Sequence, residues 1–223
     1  MRKILLVILL PIVYFDALLY QNKSLNIRYK RLQTWCRFAL SLLGIKLKVY
    51  GKDLVKEDEP VLLVSNHQGT IDPLLIISSF DQPMTFVSKS SNRKIPGIGK
   101  WGDLINVIYF DRNTKKSNIY MLRQAARMIN DNRSVLIFPE GTRSKSDAVN
   151  DFKAGALQPA FLSKCNIVLV TLNQSYAIDT NEKIKEVSIT YHKMLEYDDF
   201  KKIEIHDLAK KIRLLIQSKI VEN

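Results

Sequence analysis

From residue 59 onward, short apolar runs alternate with stretches of helical periodicity, and this alternation admits few folds. Val61–Ser65, Met84–Ser88, Ile105–Phe110, Val135–Phe138, Ile167–Leu172 and Glu186–Tyr191 have the length and β-branched or aromatic content of strands. Between them, residues 73–79, 115–131, 152–163 and 207–218 read as helices. Ile119, Leu122, Ala126 and Ile129 share one face of the second, and Leu208, Ile212, Leu215 and Ile216 one face of the last. The pattern predicts an α/β domain whose mixed, largely parallel sheet is flanked by helices. It shows no internal repeat, low-complexity tract or Pro/Gly-rich linker.

The first fifty residues read differently. Arg2-Lys3 precede an apolar run, Ile4–Phe15, and after Asp16 the apolar character resumes through Tyr20. As a helix this segment is roughly 25 Å long against a hydrocarbon core of roughly 30 Å, so it is marginal as a span, and Asp16 is unfavourable inside one. No small-residue cleavage site follows, so the expectation is an inserted or interfacial anchor rather than a secretory signal. Residues 29–49 then place Leu32, Trp35, Cys36, Ala39, Leu40 and Leu43 at helical spacing, with Lys30, Arg31, Arg37, Lys46 and Lys48 beside them. A basic amphipathic helix suits anionic headgroups; equally, such a helix packs on a protein core. The expected division is 1–52 as membrane-associated helices and 53–223 as the α/β domain. The larger Lys/Arg cluster after the apolar segment favours the cytoplasmic face of the cell membrane.

A net charge of +12 implies an anionic partner without choosing it. Cys36 and Cys165 have no disulfide or metal spacing and fit a reducing compartment.

Two polar clusters follow strand-like runs. In Asn66-His67-Gln68-Gly69-Thr70-Ile71-Asp72, His67 and Asp72 do not share a helix face, so they meet only if the chain turns between them. A carboxylate against one imidazole nitrogen leaves the other free to take a proton. Asp72-Pro73 is also a helix start, with Asp72 as its cap, and the two roles are compatible. No metal site is expected, because no further ligands lie nearby. In Phe138-Pro139-Glu140-Gly141-Thr142-Arg143-Ser144, Gly141 permits a tight loop and Arg143 offers a fork for phosphate or carboxylate. Between Lys89 and Lys116 lies a third, basic cluster, with seven Lys/Arg residues against Asp103 and Asp111.

In this order, the clusters resemble the 1-acyl-sn-glycerol-3-phosphate (lysophosphatidate) acyltransferase family. Asn66-His67 with Asp72 is similar to its first block. Lys89, Ile95-Pro96-Gly97-Ile98-Gly99 and Tyr109-Phe110-Asp111-Arg112 are similar to its second, and Phe138–Ser144, followed by Phe152-Lys153-x-Gly155, to its third. Two departures stand out: Asn106 replaces a usual glycine, and the Val-Pro-Val-like fourth block reads Val168-Leu169-Val170. The resemblance implies acyl transfer from a thioester to the sn-2 hydroxyl of 1-acylglycerol 3-phosphate, giving phosphatidic acid for phospholipid synthesis. It implies His67 as base with Asp72 orienting it, and Lys89, Arg112, Glu140, Gly141, Thr142 and Arg143 on the substrates, with Gly141 and neighbouring N–H groups at the oxyanion. No cofactor is implied; acyl-CoA or acyl-[acyl carrier protein] is the donor. Lysophosphatidic acid, the thioester and an anionic membrane surface are the implied partners, with acyl carrier protein admitted and nucleic acid not expected. Other acceptors (a lysophospholipid, glycerol 3-phosphate or an aminoacyl lipid) stay open, as does a non-enzymatic membrane-surface binder.

Overall fold

The computed structural model describes residues 2–56, 59–111, 114–180 and 186–220, with the side chains of residues 2, 3 and 5 left out. Two helices lead, α1 (Arg2–Tyr20) and α2 (Leu25–Leu43). There follow β1 (Lys46–Tyr50), β2 (Leu62–Ser65), α3 (Asp72–Ser79), β3 (Met84–Lys89), α4 (Ile98–Leu104), β4 (Ile108–Phe110), α5 (Lys115–Asn130) and β5 (Ser134–Ile137). The chain continues through α6 (Gln158–Ser163), β6 (Ile167–Asn173), α7 (Ala177–Thr180), β7 (Glu186–Tyr191), α8 (Tyr197–Phe200) and α9 (Ile205–Gln217).

The seven strands form one sheet in the order β1-β7-β6-β2-β5-β3-β4. From β6 to β4 every neighbouring pair is parallel; β7 runs antiparallel to β6, and β1 is parallel to β7. The sheet is therefore mixed and largely parallel, as the alternation predicts. All residues of β2, β5 and β6 are buried, because helices cover both faces. On one face Leu63, Leu136, Val168 and Val170 pack with residues of α2 and α3; on the other Leu62, Val135, Ile137 and Leu169 pack with α5, α6 and α9.

The segment expected as one amphipathic helix over 29–49 divides. Gly44 adopts φ 74°, the left-handed stop that glycine tolerates, and residues 46–50 become the edge strand β1. Its lysines sit on the open edge, where charge discourages strand addition. The helix itself is built into the core through Tyr29, Gln33, Cys36 and Leu40. Gln33 Nε2 donates to the carbonyls of Ile77 (3.0 Å) and Phe80 (2.8 Å), and Arg37 Nε to that of Ser78 (2.9 Å). These are carbonyls at the end of α3 that the helix leaves without internal partners. The strand expected at 105–110 starts only at Ile108. Asn106 holds φ 59°, so this position does require a left-handed backbone, which asparagine tolerates nearly as glycine does.

Helix α1 runs unbroken through Asp16. That carboxylate is buried against α2, where Arg31 meets it in a fork at 2.7–3.1 Å and Trp35 Nε1 donates to it at 2.7 Å. Burial raises its pKa, but the hydrogen bonds from Arg31 and Trp35 and the guanidinium charge outweigh this and hold the carboxyl below its usual value. The opposite side of α1 exposes Ile4, Val7, Ile8, Ile12, Phe15 and Leu19. No described helix is long and apolar enough to cross a membrane.

His192, just after β7, ties the far end of the sheet to α9. Its Nε2 donates to Thr171 Oγ1 (2.8 Å), which donates to the Ile216 carbonyl (3.1 Å). Burial, aided by the charge of Lys219, lowers the imidazole pKa from 6.5 to about 4. The unfolded chain takes up this proton below pH 6.5 and the folded chain resists it, so stability is lost as pH falls from 6.5 towards 4. The loss is on the order of 1–2 kcal/mol after discounting for screening at a partly exposed ring. Urea unfolding at pH 7 and pH 4.5 is expected to show this extra acid loss in the wild type and a smaller one in His192→Gln.

Candidate active site

Because β2, β3, β5 and β6 are parallel, their C-terminal ends share one edge of the sheet, and the loops leaving them become neighbours. Asn66 pins the first loop to β6: its side chain donates to the Leu172 carbonyl at 2.9 Å and accepts from the Leu172 N–H at 2.8 Å. Glu140, after β5, accepts the backbone N–H groups of His67 (2.7 Å) and Asn150 (3.0 Å). The Ser144 N–H in turn donates to the His67 carbonyl at 2.8 Å. His67 is thus held through its backbone by the second loop before its side chain does anything.

The imidazole stacks on Phe138 with ring centroids 4.2 Å apart, and its Nδ1 lies 2.7 Å from Asp72 Oδ2. The chain does turn between the two, as their meeting requires. Asp72 is not the helix cap, however. Ile71 occupies that position without a side-chain bond, and Asp72 is the first residue of α3. From there its carboxylate points back over the loop, accepting the N–H groups of Gln68 (2.7 Å) and Gly69 (2.9 Å). Gly69 is needed for close approach: a Cβ there would sit 2.7 Å from the Ser175 carbonyl oxygen. The remaining oxygen, Oδ1, accepts the buried Ser175 hydroxyl at 2.6 Å. Gln68 continues the network, accepting from the Ser175 N–H (3.0 Å) and donating to Asp147 (3.4 Å), which also accepts from the Tyr176 hydroxyl (3.0 Å). An aspartate that accepts four hydrogen bonds fixes the proton on His67 Nδ1 and leaves Nε2 unprotonated, able to act as a base.

His67 opens on a cavity of about 450 Å³. Thr70, Lys89, Gly141, Thr142, Arg143 and Lys153 border it, together with apolar Phe86, Phe110, Met121, Leu122 and Ile137. Cations beside an apolar wall suit an amphiphile with an anionic head. Of the residues singled out in the sequence, His67, Lys89, Gly141, Thr142 and Arg143 share this cavity, and Asp72 stands behind His67. Arg112 lies outside the described residues.

Three of these residues have a different setting from the one the sequence suggests. Glu140 is buried and does not line the cavity; its carboxylate braces the two loops, and burial raises its pKa against the lowering pull of the His67 and Asn150 N–H groups. The Gly141 N–H closes a turn onto the Phe138 carbonyl at 3.1 Å, so it is not free to meet an oxyanion. Arg143 is engaged through one nitrogen: its Nη1 donates to Thr70 Oγ1 and lies 3.8 Å from Asp179, to which Thr70 donates through both N–H (2.8 Å) and hydroxyl (2.9 Å).

The acyltransferase family model matches residues 46–173, which include the sheet edge and both loops. The chain belongs to the acyltransferase family. Among relatives, a probable 1-acyl-sn-glycerol-3-phosphate acyltransferase of Mycoplasma genitalium is 29% identical over 218 residues, covering 91% of this chain and 80% of its own length. A 1-acyl-sn-glycerol-3-phosphate acyltransferase of Borreliella burgdorferi is 31% identical over 136 residues, 61% of this chain and 54% of its own. The crystal structure of the acyltransferase PlsC from Thermotoga maritima shares the fold, with a TM-score of 0.75 at 23% identity over 98% of this chain and 95% of that one. The Val168-Leu169-Val170 departure from the family pattern falls inside fully buried β6, and none of the three residues lines the cavity.

Ser175, Gln68, Asp147 and Tyr176 carry no sequence signal; only the topology brings residues 103 positions apart together at Asp72. Removing the Ser175 hydroxyl leaves a buried carboxylate short of one donor. Ser175→Ala is expected to lower stability by about 1–3 kcal/mol and to reduce acyl-transfer kcat about tenfold with little change in KM. Thermal unfolding and steady-state kinetics measure the two effects.

Proposed function

We propose that this acyltransferase moves a fatty acyl group from a thioester to the sn-2 hydroxyl of 1-acyl-sn-glycerol 3-phosphate, forming phosphatidic acid at a membrane surface. The observation that carries the reading is the His67 Nδ1–Asp72 contact of 2.7 Å in a ring that borders a cavity both cationic and apolar. The activity for which the relatives are named supplies the acceptor.

The chemistry follows from the geometry. With Nδ1 tied to Asp72, Nε2 takes the proton of the acceptor hydroxyl as its oxygen attacks the thioester carbonyl carbon. The tetrahedral intermediate collapses with cleavage of the C–S bond, and the imidazolium returns the proton to the departing thiolate. No acyl-enzyme forms, so no serine or cysteine nucleophile is required. The donor on this reading is acyl-CoA or acyl-[acyl carrier protein], either of which supplies the thioester. The exposed apolar side of α1 rests in one leaflet of the membrane, on its cytoplasmic face, with the basic flank of α2 at the headgroups.

Purified protein given acyl-CoA or acyl-[acyl carrier protein] and lysophosphatidate in vesicles is expected to yield phosphatidate by lipid mass spectrometry. His67→Ala and Asp72→Asn should lose at least about 100-fold in kcat while remaining folded; near wild-type turnover in His67→Ala would remove the base assignment. For the membrane, Phe15→Ser with Leu19→Ser should weaken vesicle binding at least about 100-fold, each lost apolar side chain contributing roughly 1.5–3 kcal/mol. Co-sedimentation reads the change, and an unchanged thermal midpoint shows that the fold is intact.

A further inference from the structure

Lys153 has a fixed place beside the catalytic loop. Its N–H donates to the Pro139 carbonyl at 3.0 Å and its carbonyl accepts from the Ala156 N–H at 2.9 Å. Phe152 packs against the core on one side and Ala154 is buried on the other, so the backbone at 153 is anchored although its side chain is exposed. That side chain crosses Gly141. A Cβ built at Gly141 would meet Lys153 Nζ at 2.7 Å and Cε at 3.2 Å, and Gly141 holds φ 71°. The left-handed backbone disfavours a side chain at 141, and the absence of one leaves the space in which the flexible Lys153 side chain lies.

The charges around the cavity are unequal. Arg143 shares its charge with Asp179 at 3.8 Å and its Nη1 with Thr70. Lys153 has no carboxylate partner among the described residues, and neither does Lys89; both border the same cavity as His67. An ammonium held against a tight loop without an acid is a ready site for an anionic group. In the proposed acceptor, the carbon bearing the reacting hydroxyl is bonded to the one bearing the phosphate ester. With that hydroxyl at His67, the phosphate must lie within the reach of groups on this same cavity wall.

We infer that Lys153 is a ligand of the acceptor's phosphate, a phosphomonoester. The inference rests on the acyl-transfer reading above and adds to it the residue that recognises the head group. Lys89 and Arg143 border the same cavity, Arg143 with Asp179 at 3.8 Å.

The test compares wild type, Lys153→Met and Lys153→Arg. Methionine keeps the length and most of the apolar stem, and a thermal midpoint within a degree or two of wild type establishes folding. Lys153→Met is expected to raise the KM for lysophosphatidate at least tenfold, to leave the KM for acyl-CoA unchanged, and to leave transfer to phosphate-free 1-acylglycerol unchanged. Lys153→Arg should restore most of the acceptor affinity. A rise in the acyl-CoA KM instead would assign the lysine to the donor's phosphates, and an equal loss with both acceptors would assign it to the reacting centre; either overturns the inference. Lysophosphatidate binding without donor, read by the shift in thermal midpoint, separates the two readings. Wild type that binds but transfers no acyl group overturns the acyltransferase reading, whereas unchanged binding by Lys153→Met overturns this one.

Discussion

The Asp72 carboxylate is the tie on which the site depends. It is fully buried, and four donors from two stretches of chain converge on it: the His67 ring, the N–H groups of Gln68 and Gly69, and the Ser175 hydroxyl. A buried charge is tolerated only when it is hydrogen-bonded so thoroughly, and the same bonds determine where the imidazole points. Behind it, Glu140 performs the equivalent service for the backbone, drawing the His67 and Asn150 N–H groups onto one carboxylate. Two buried acids, neither in contact with the cavity, thus position the one histidine that is.

This arrangement follows from the sheet. β2 lies between β5 and β6, all three parallel, so the His67 loop has the Glu140 loop on one side and the Ser175 corner on the other. Strands of this kind are legible in sequence because they are apolar throughout, and β2, β5 and β6 fall where the apolar runs predict. β1 was hidden by its composition: Lys46-Leu47-Lys48-Val49-Tyr50 continues the basic amphipathic pattern of the helix before it, and only pairing with β7 makes it a strand. The site divides in the same way. The His67/Asp72 pair and the Glu140–Arg143 loop are local patterns and could be read directly. Ser175 and Asp179 are ordinary polar residues until the fold sets them against Asp72 and Thr70. Lys153 could be seen only as part of a family pattern, since its role beside Gly141 depends on the conformation of another loop.

Asp16 shows how a residue can count against one model of a segment and support another. Within a span, its charge in an apolar helix is a defect. In the structure it is the anchor point, bound by Arg31 and Trp35, and Arg31 in turn lies over the rings of Tyr20 and Trp35 at 5.4 and 5.6 Å. The cluster joins α1 to α2 on one side and leaves the apolar residues of α1 facing outward. The same contacts that make α1 a poor transmembrane helix fix it to α2 with its apolar side outward.

The packing of α1 extends towards the cavity wall. Trp101 Nε1 of α4 donates to the Val13 carbonyl of α1 at 3.1 Å, and at Gly97 the two helices approach so closely that a Cβ would sit 2.9 Å from the Leu10 carbonyl oxygen. α4 follows directly on the segment that begins at Lys89, a cation of the cavity wall with no carboxylate partner among the described residues. α2 meanwhile closes the end of α3, the helix whose first residue is Asp72. The outward apolar helix is therefore connected to the Lys89 segment of the cavity wall through α4 and to Asp72 through α2 and α3. On the proposed reading, an acceptor with one end in lipid and a phosphate at the other meets both surfaces, and these two connections join them.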